Sequence, residues 1–507
     1  MSLFRKSILW QPIKVSVQYL IAVLFLLFIN VSGPKAQGAF FWSEQKRIPD
    51  YPDFTQEPPY LIADQNNTIH AFNAQVLQPD EENSPKAIFY RQWTREGGWT
   101  SPNDIIYDRG GGTVDILGVV SDSSGTVYLL FQKDFHDIYL TVTHLADAGK
   151  STDWSSPILL ASQSTHVGIG FEIIGAIATD DNGNLVVIYS GSEVGKGLYS
   201  VSSSDYGSNW SDPYPVYLTG DDTVVVTDPA LYVGRSGLFH AVWSTFLNNG
   251  SGGPGYYGQY DPGTRTWTEP IPLDLPGIRT PDVIEYEDQI IVSYYHRNVN
   301  GNWWRISGDG GKSWSIPSQV STHHVGTNGR VSFVVDSQNN LYAFFGERIN
   351  DLNHGMWQSR WTGYTWTEPE PVVRGPQIRD VIGGDGFDPR AARAIVSNGN
   401  LILVTWTTDG FAGENGVWYS VKQVDAPALP SVALQEPTNI PPATITVSAP
   451  STAVQVAATA TRAFDKTDDT PGSALNPQLS IIIGVVPVLL VLLGTIFIFS
   501  FRHNKNK

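Results

Sequence analysis

The sequence predicts an all-β fold, a seven-bladed β-propeller, with a six-bladed ring as the alternative. Three observations carry it. The first is a repeat. Trp followed by Ser or Thr, and two places later usually by Pro, occurs at Trp42, Trp99, Trp154, Trp210, Trp267, Trp314 and Trp366, at intervals of 57, 55, 56, 57, 47 and 52 residues. The copy at Trp42 lacks the proline. An interval of that length, filled with short strand-like runs, matches one four-stranded blade per copy. The second is a recurring turn followed by an apolar run: DSSGTVYLLF from Asp122, DSQNNLYAFF from Asp336 and SNGNLILVTW from Ser397. Tight turns bounding alternating apolar residues read as hairpins. The third is composition. Gly (48) and Pro (33) supply turns, while Trp (16), Tyr (22) and Phe (22) suit strands.

The third copy shows the unit. Glu172–Thr179 is a first strand, Asn184–Ser190 a second and Gly197–Ser202 a third, and Trp210 opens the fourth. Seven such sets begin near Glu57, Val114, Glu172, Thr227, Arg279, Arg330 and Arg390. The last set lacks a tryptophan strand, and Trp42–Pro49 precedes the first set without one to join. The N-terminal segment is therefore expected to close the ring as the outer strand of the last blade. Such pairing removes an exposed sheet edge.

The ends of the chain read differently. Arg5, Lys6 and Lys14, the apolar run Val15–Val31 and the small residues near Ala36–Ala39 predict a signal peptide over 1–37, with a retained anchor as the alternative. The propeller is expected over 38–425. Residues 426–478, rich in Pro, Ser, Thr and Ala, predict an extended stalk. Residues 479–501 carry no charge over a span long enough to cross a bilayer. Arg502, Lys505 and Lys507 follow, placing the tail 502–507 in the cytoplasm. A single-pass membrane protein with its propeller on the extracytoplasmic side is expected.

Charge and cysteine content narrow the chemistry. With no Cys, disulfides, thiolate metal sites and cysteine nucleophiles are excluded. A net charge of −17 argues against nucleic acid as a partner. No EF-hand-like loop is present, and neither a metal nor a cofactor is expected.

Two turns are fuller than the rest. Ser203, Asp205, Gly207 and Trp210 spell S-x-D-x-G-x-x-W, as do Ser307, Asp309, Gly311 and Trp314. The turn before Trp267, starting Asp261-Pro262-Gly263, has one residue too many. The full copies resemble the Asp-box of the sialidase (neuraminidase) superfamily, over roughly Trp42–Val424. The resemblance implies a propeller with the boxes on the outer edge and the ligand at the axis. It makes a terminal acidic sugar of a glycan the expected ligand, with hydrolysis as one outcome. A non-catalytic head binding a glycan or a protein is the alternative. The boxes themselves are structural: Asp takes turn amides, Gly permits positive φ and Trp fills the gap between sheets.

Loops from fourth to first strand share one face with those from second to third, so inner-strand starts crowd the axis there. Counting back from the turn after each first strand gives Pro58, Ile116, Ile174, Asp228, Arg279, Arg330 and Arg390. Glu57, Asp115, Glu172, Asp282 and Arg393 flank them. Arginine makes two-pronged contacts with carboxylates. Two readings stay open: a clamp for an anionic ligand, or a salt-bridged plug. The resemblance makes Arg279, Arg330 and Arg390 candidates for the arginine triad that holds a sialic acid carboxylate. The family's Arg-Ile-Pro motif falls here at Arg47-Ile48-Pro49, on the closing strand rather than in the first blade, and family members have six blades. Tyr294 and Tyr295, Glu172, Asp134 and Asp137 are candidates near that face, with no nucleophile assigned. His166 and the pair His323 and His324 lie in two similar Ser-Thr-His loops ahead of Glu172 and Arg330.

Overall fold

A computed structural model describes residues 41–52, 57–78, 84–162, 174–247, 251–273, 276–299, 301–320, 330–347, 355–374, 389–408 and 416–432. The chain divides into two compact units, Met1–Thr446 and Val447–Lys507, and every described residue belongs to the first. The expected leader, the apolar segment 479–501 and most of the stalk lie outside the described residues. Among those described, no helix is long and apolar enough to cross a membrane.

The strands form seven antiparallel sheets, one per predicted blade. The inner strands are Tyr60–Ala63, Val114–Ser121, Gly175–Thr179, Val224–Val233, Ile278–Tyr286, Ser332–Val335 and Pro389–Ser397. Each pairs with a second strand, then a third, then a short outer one. The ring closes as expected. Lys46–Arg47 pairs with Val417–Gln423 as the outer strand of the seventh blade.

The recurring Trp-Ser/Thr now has a physical reason at each position. Each indole packs between its own sheet and the preceding one. Trp154 lies in the core joining blades 1 and 2, Trp210 in that of blades 2 and 3, and Trp267 in that of blades 3 and 4. Trp314, Trp366, Trp42 and Trp99 continue the series back to blade 1. The residue after each Trp makes two bonds to the third strand. Its amide donates to a third-strand carbonyl: Thr100 to Gln92, Ser155 to Val142, Ser211 to Ser202, Thr268 to Gln259, Ser315 to Ile306, Thr367 to Arg360 and Ser43 to Val421. Its hydroxyl accepts the amide of that same partner, at 2.9–3.1 Å in all seven. Any residue but proline supplies the amide, and Ser or Thr adds a hydroxyl acceptor on a side chain short enough to reach the neighbouring amide. Ser43 makes this pair like the other six, so the closing strand is a full copy of the repeat.

Proline, which lacks an N–H, ends that local pairing. The continuous outer strand therefore starts later than the tryptophan. In blade 3 it is Tyr214–Leu218, four residues beyond Trp210, which corrects the expectation that Trp210 opens it.

The two S-x-D-x-G-x-x-W turns share one geometry. Ser203 donates to Asp205 and accepts from the Gly207 amide, at 2.8 and 2.9 Å. Ser307 does the same with Asp309 and Gly311, both at 2.8 Å. Asp205 accepts the Asn209 amide and Asp309 the Ser313 amide, each at 2.9 Å. Gly311 has φ +86°, and a Cβ there would sit 2.5 Å from the Tyr257 ring, so glycine is required twice over.

Beyond the last blade, the chain crosses the face formed by the first-to-second-strand turns. Asn400 Nδ2 donates to the Ala426 carbonyl, and the Leu429 amide to Asn398 O, both at 2.9 Å. Ser337 Oγ in blade 6 donates to Pro427 O, and the Val432 amide donates to Gln65 O in blade 1. This strap spans three blades on the face opposite the starts of the inner strands.

Candidate functional site at the propeller axis

The inner strands do not repeat as the outer ones do. Blade 2 skips one residue between Ile116 and Gly118, and three other inner strands skip two. Pairing shifts between Thr227 and Ala230, between Arg279 and Asp282, and between Arg390 and Arg393. Each of these three bulges holds a non-glycine residue in the left-handed region: Asp228 (φ 53°), Thr280 (φ 44°) and Ala391 (φ 48°). Bulges re-aim side chains, and positive φ at such residues is strained.

This geometry corrects the arginine column. Arg279 and Arg390 do share a ladder position, opposite Tyr295 and Thr407. Asp228 instead sits inside its bulge, and Arg330 lies just ahead of the strand Ser332–Val335. The turns after the first strands differ in length from blade to blade, so counting from them shifts the register.

Arg279 is not available to a ligand. It is buried, its Nε donates to Asp228 Oδ2 at 3.2 Å, and its guanidinium lies 4.7 Å from the Phe246 ring centre. Asp228 also accepts from Ser244 Oγ and from the Thr280 amide, both at 3.3 Å. This arginine is thus paired inside the protein with Asp228, and neither residue lines the axial cavity. Tyr294 and Tyr295 are both buried, Tyr294 within the core between blades 4 and 5. Asp115 pairs with Lys86 at 2.9 Å, and Asp137 with His136 at 2.7 Å. Asp134 accepts the Thr113 amide. Glu172, His166, His323 and His324 lie outside the described residues, as does the side chain of Arg390.

The axis is nevertheless open. A cavity of about 240 Å³ runs along it and takes lining residues from all seven inner strands or their approaches. Its polar groups are Arg330, Arg393, Asp282, Tyr60 and Ser332. Among the described residues, Arg330 Nη2 donates only to backbone oxygens, Asp228 O at 3.5 Å and Pro229 O at 3.3 Å. Arg393 donates to Pro58 O at 2.6 Å and to Glu57 Oε2 at 3.3 Å, with its guanidinium 3.5 Å from the Tyr60 ring centre. Stacking on that ring fixes the plane of the guanidinium. Tyr60 donates to the Leu117 carbonyl at 3.0 Å, and burial pushes its phenol up despite Arg393. Burial also pushes Asp282 up, to about 6, against the pull of Arg330, the Val283 amide and Arg393.

Sequence reasoning gave Arg393 and Asp282 only a flanking place. The structure puts them at one ladder position, the first pair after the bulge, opposite Thr405 and Ser293. Thr280-Pro281 and Ala391-Ala392 were the available signals, since each breaks the alternation of a first strand.

No family model matches the chain, and no curated protein matches it. Solved structures do. A protein of unknown function from Dyadobacter fermentans aligns with TM-score 0.45 and 14% identity, over 76% of this chain and 98% of that one. A Trypanosoma rangeli sialidase in complex with sialic acid aligns with TM-score 0.43 and 12% identity, over 76% of this chain and 60% of the sialidase. An ulvan lyase aligns with TM-score 0.46 and 12% identity, over 75% of this chain and 96% of the lyase.

Proposed function

We propose that this propeller recognises a terminal acidic sugar of a glycan at its axis, with Arg330 and Arg393 holding the acidic group. One observation carries the reading: a cavity lined from all seven blades in which, among the described residues, two guanidiniums make three of their four hydrogen bonds to neutral backbone oxygens and leave most of their donors unused. Among the described residues, Glu57 is the one carboxylate bonded to either, at 3.3 Å. Planar guanidiniums in a sheltered cavity favour a planar carboxylate. The two S-x-D-x-G-x-x-W turns support sialidase-type ancestry, although the arginines used are not the three aligned by sequence. Binding of sialyl- and uronyl-oligosaccharides to the purified chain, compared with Arg330→Ala and Arg393→Ala, tests it. Loss of binding in both variants is expected, and unchanged affinity would overturn the clamp.

Hydrolysis is the second reading. Asp282 favours it, because a carboxyl group that titrates near 6 suits proton transfer at neutral pH. Tyr60 argues the other way, since its phenol is raised and bonded to a carbonyl, the opposite of an activated nucleophile. A fluorogenic sialoside and uronide screen from pH 4 to 8 decides, and no turnover at any pH removes this reading. The leader-like start, the stalk and residues 479–501 support display on the outer side of a membrane. Protease protection of the C-terminal tail in sealed vesicles tests that topology.

A further inference from the structure

A larger hollow lies at the rim, between blades 3 and 4. It measures about 550 Å³, within the ~300–1,000 Å³ range of small-ligand pockets. The two sides come from different parts of the repeat. Blade 3 contributes Trp210, Asp212 and Tyr214, and blade 4 contributes Tyr260, Arg265 and Trp267. The wall on the blade 4 side is the irregular copy of the turn. Tyr260 pairs with Trp267 and Asp261 with Thr266, leaving a four-residue loop, Pro262 to Arg265, between them. That loop is held in place at a cost. Arg265 adopts φ 56°, and its guanidinium crosses the gap to donate to Ser204 Oγ at 3.0 Å.

The lining has the chemistry of a sugar site. The polar ends of the aromatic rings are already used. Trp267 Nε1 donates to Ser200 Oγ at 2.8 Å, Trp210 Nε1 to Gly207 O at 3.0 Å, and Tyr260 OH to Ser202 Oγ at 3.0 Å. These bonds fix the rings, Tyr260 is buried, and the half-buried Trp210 and Trp267 are what offer aromatic carbon to a ligand; flat apolar surface suits the C–H face of a pyranose. Tyr214 is 54% exposed at the lip beside the exposed Asp212, whose carboxylate has no partner among the described residues. A carboxylate accepts strongly from sugar hydroxyls. The charge balance points to an uncharged ligand: Asp205 and Asp212 face one guanidinium that already bridges the blades.

We propose that this groove binds a short neutral glycan, separately from the axial site. Wall, platform and acceptor then come from the extra-long turn, the exposed Tyr214 ring beside the two indoles, and Asp212. The groove would add a second contact to a branched glycan whose acidic end sits elsewhere.

The test uses the full-length chain on an array of neutral oligosaccharides, followed by calorimetry with the best binder. A Tyr214→Ala, Asp212→Ala double variant should weaken binding at least ~10-fold, the size expected when a stacking platform and a charged acceptor are lost together. Arg265→Gly relaxes the left-handed backbone and keeps the fold, yet removes the bridge, so it too should weaken binding. Arg330→Ala should bind the same neutral glycan as the wild type does. No neutral glycan bound at ~10 mM, an affinity too weak to matter, overturns the proposal. So does unchanged affinity in both groove variants, or loss in Arg330→Ala alone.

Discussion

The rim of this molecule and its axis obey opposite rules. At the rim, seven tryptophans occupy seven equivalent gaps, and seven Ser or Thr residues make the same two bonds to the third strand. At the axis no two blades present the same set. Blade 4 gives a buried aspartate, blade 5 an arginine and an acid, blade 6 one arginine, and blade 7 an arginine stacked on a tyrosine of blade 1. Repetition builds a ring, and the closing strand takes part in it as a full copy. Variation at the hub sets the polar groups that line the cavity, and the strain of three bulges accompanies it.

The largest effect that would break this contrast is at the seam. Removing residues 38–50 takes away the seventh Trp-Ser copy and exposes a sheet edge. The melting temperature should fall by more than ~10 °C, as loss of several kcal/mol implies. Unchanged melting would mean the seam is not part of the cooperative ring. Next comes a single interface. Trp366→Ala removes a ring that is 6% exposed between blades 5 and 6, and should cost ~3–5 kcal/mol by denaturant or thermal unfolding.

At the hub, Arg279→Ala leaves Asp228 buried and unpaired, for a loss of ~3–5 kcal/mol. Adding Asp228→Asn should recover part of it. A double-mutant cycle with no coupling would contradict the pairing of these two residues.

The smallest stability effect belongs to the cavity. Asp282 has its carboxyl raised from 3.8 to about 6 in the folded chain. The stability it contributes is therefore complete below pH 4 and lost as pH rises through 6. Asp282→Asn should raise the melting temperature at pH 8 and leave it unchanged at pH 3.5. An equal shift at both pH values would show that the carboxyl is not perturbed.

The sequence made the rim legible because every copy must solve one packing problem with the same indole and the same hydroxyl. That is why blade number and the closing strand could be read from spacing alone. The hub was legible only in part. Asp228, Arg279 and Arg330 were found, but as one column. Bulges at Asp228-Pro229 and Thr280-Pro281, with turns of unequal length, shift the register by residues that no periodic pattern marks. Arg393 was underrated for the same reason. Its place beside Asp282 depends on counting ladder pairs, not residues.

The central claim is that the hub, not the rim, holds the acidic ligand. Calorimetric titration of the full-length chain with a sialyl-oligosaccharide, against the Arg330→Ala, Arg393→Ala double variant, tests it most directly. The account predicts measurable binding by the wild type and none by the variant at unchanged melting temperature. Equal binding by both proteins would contradict it.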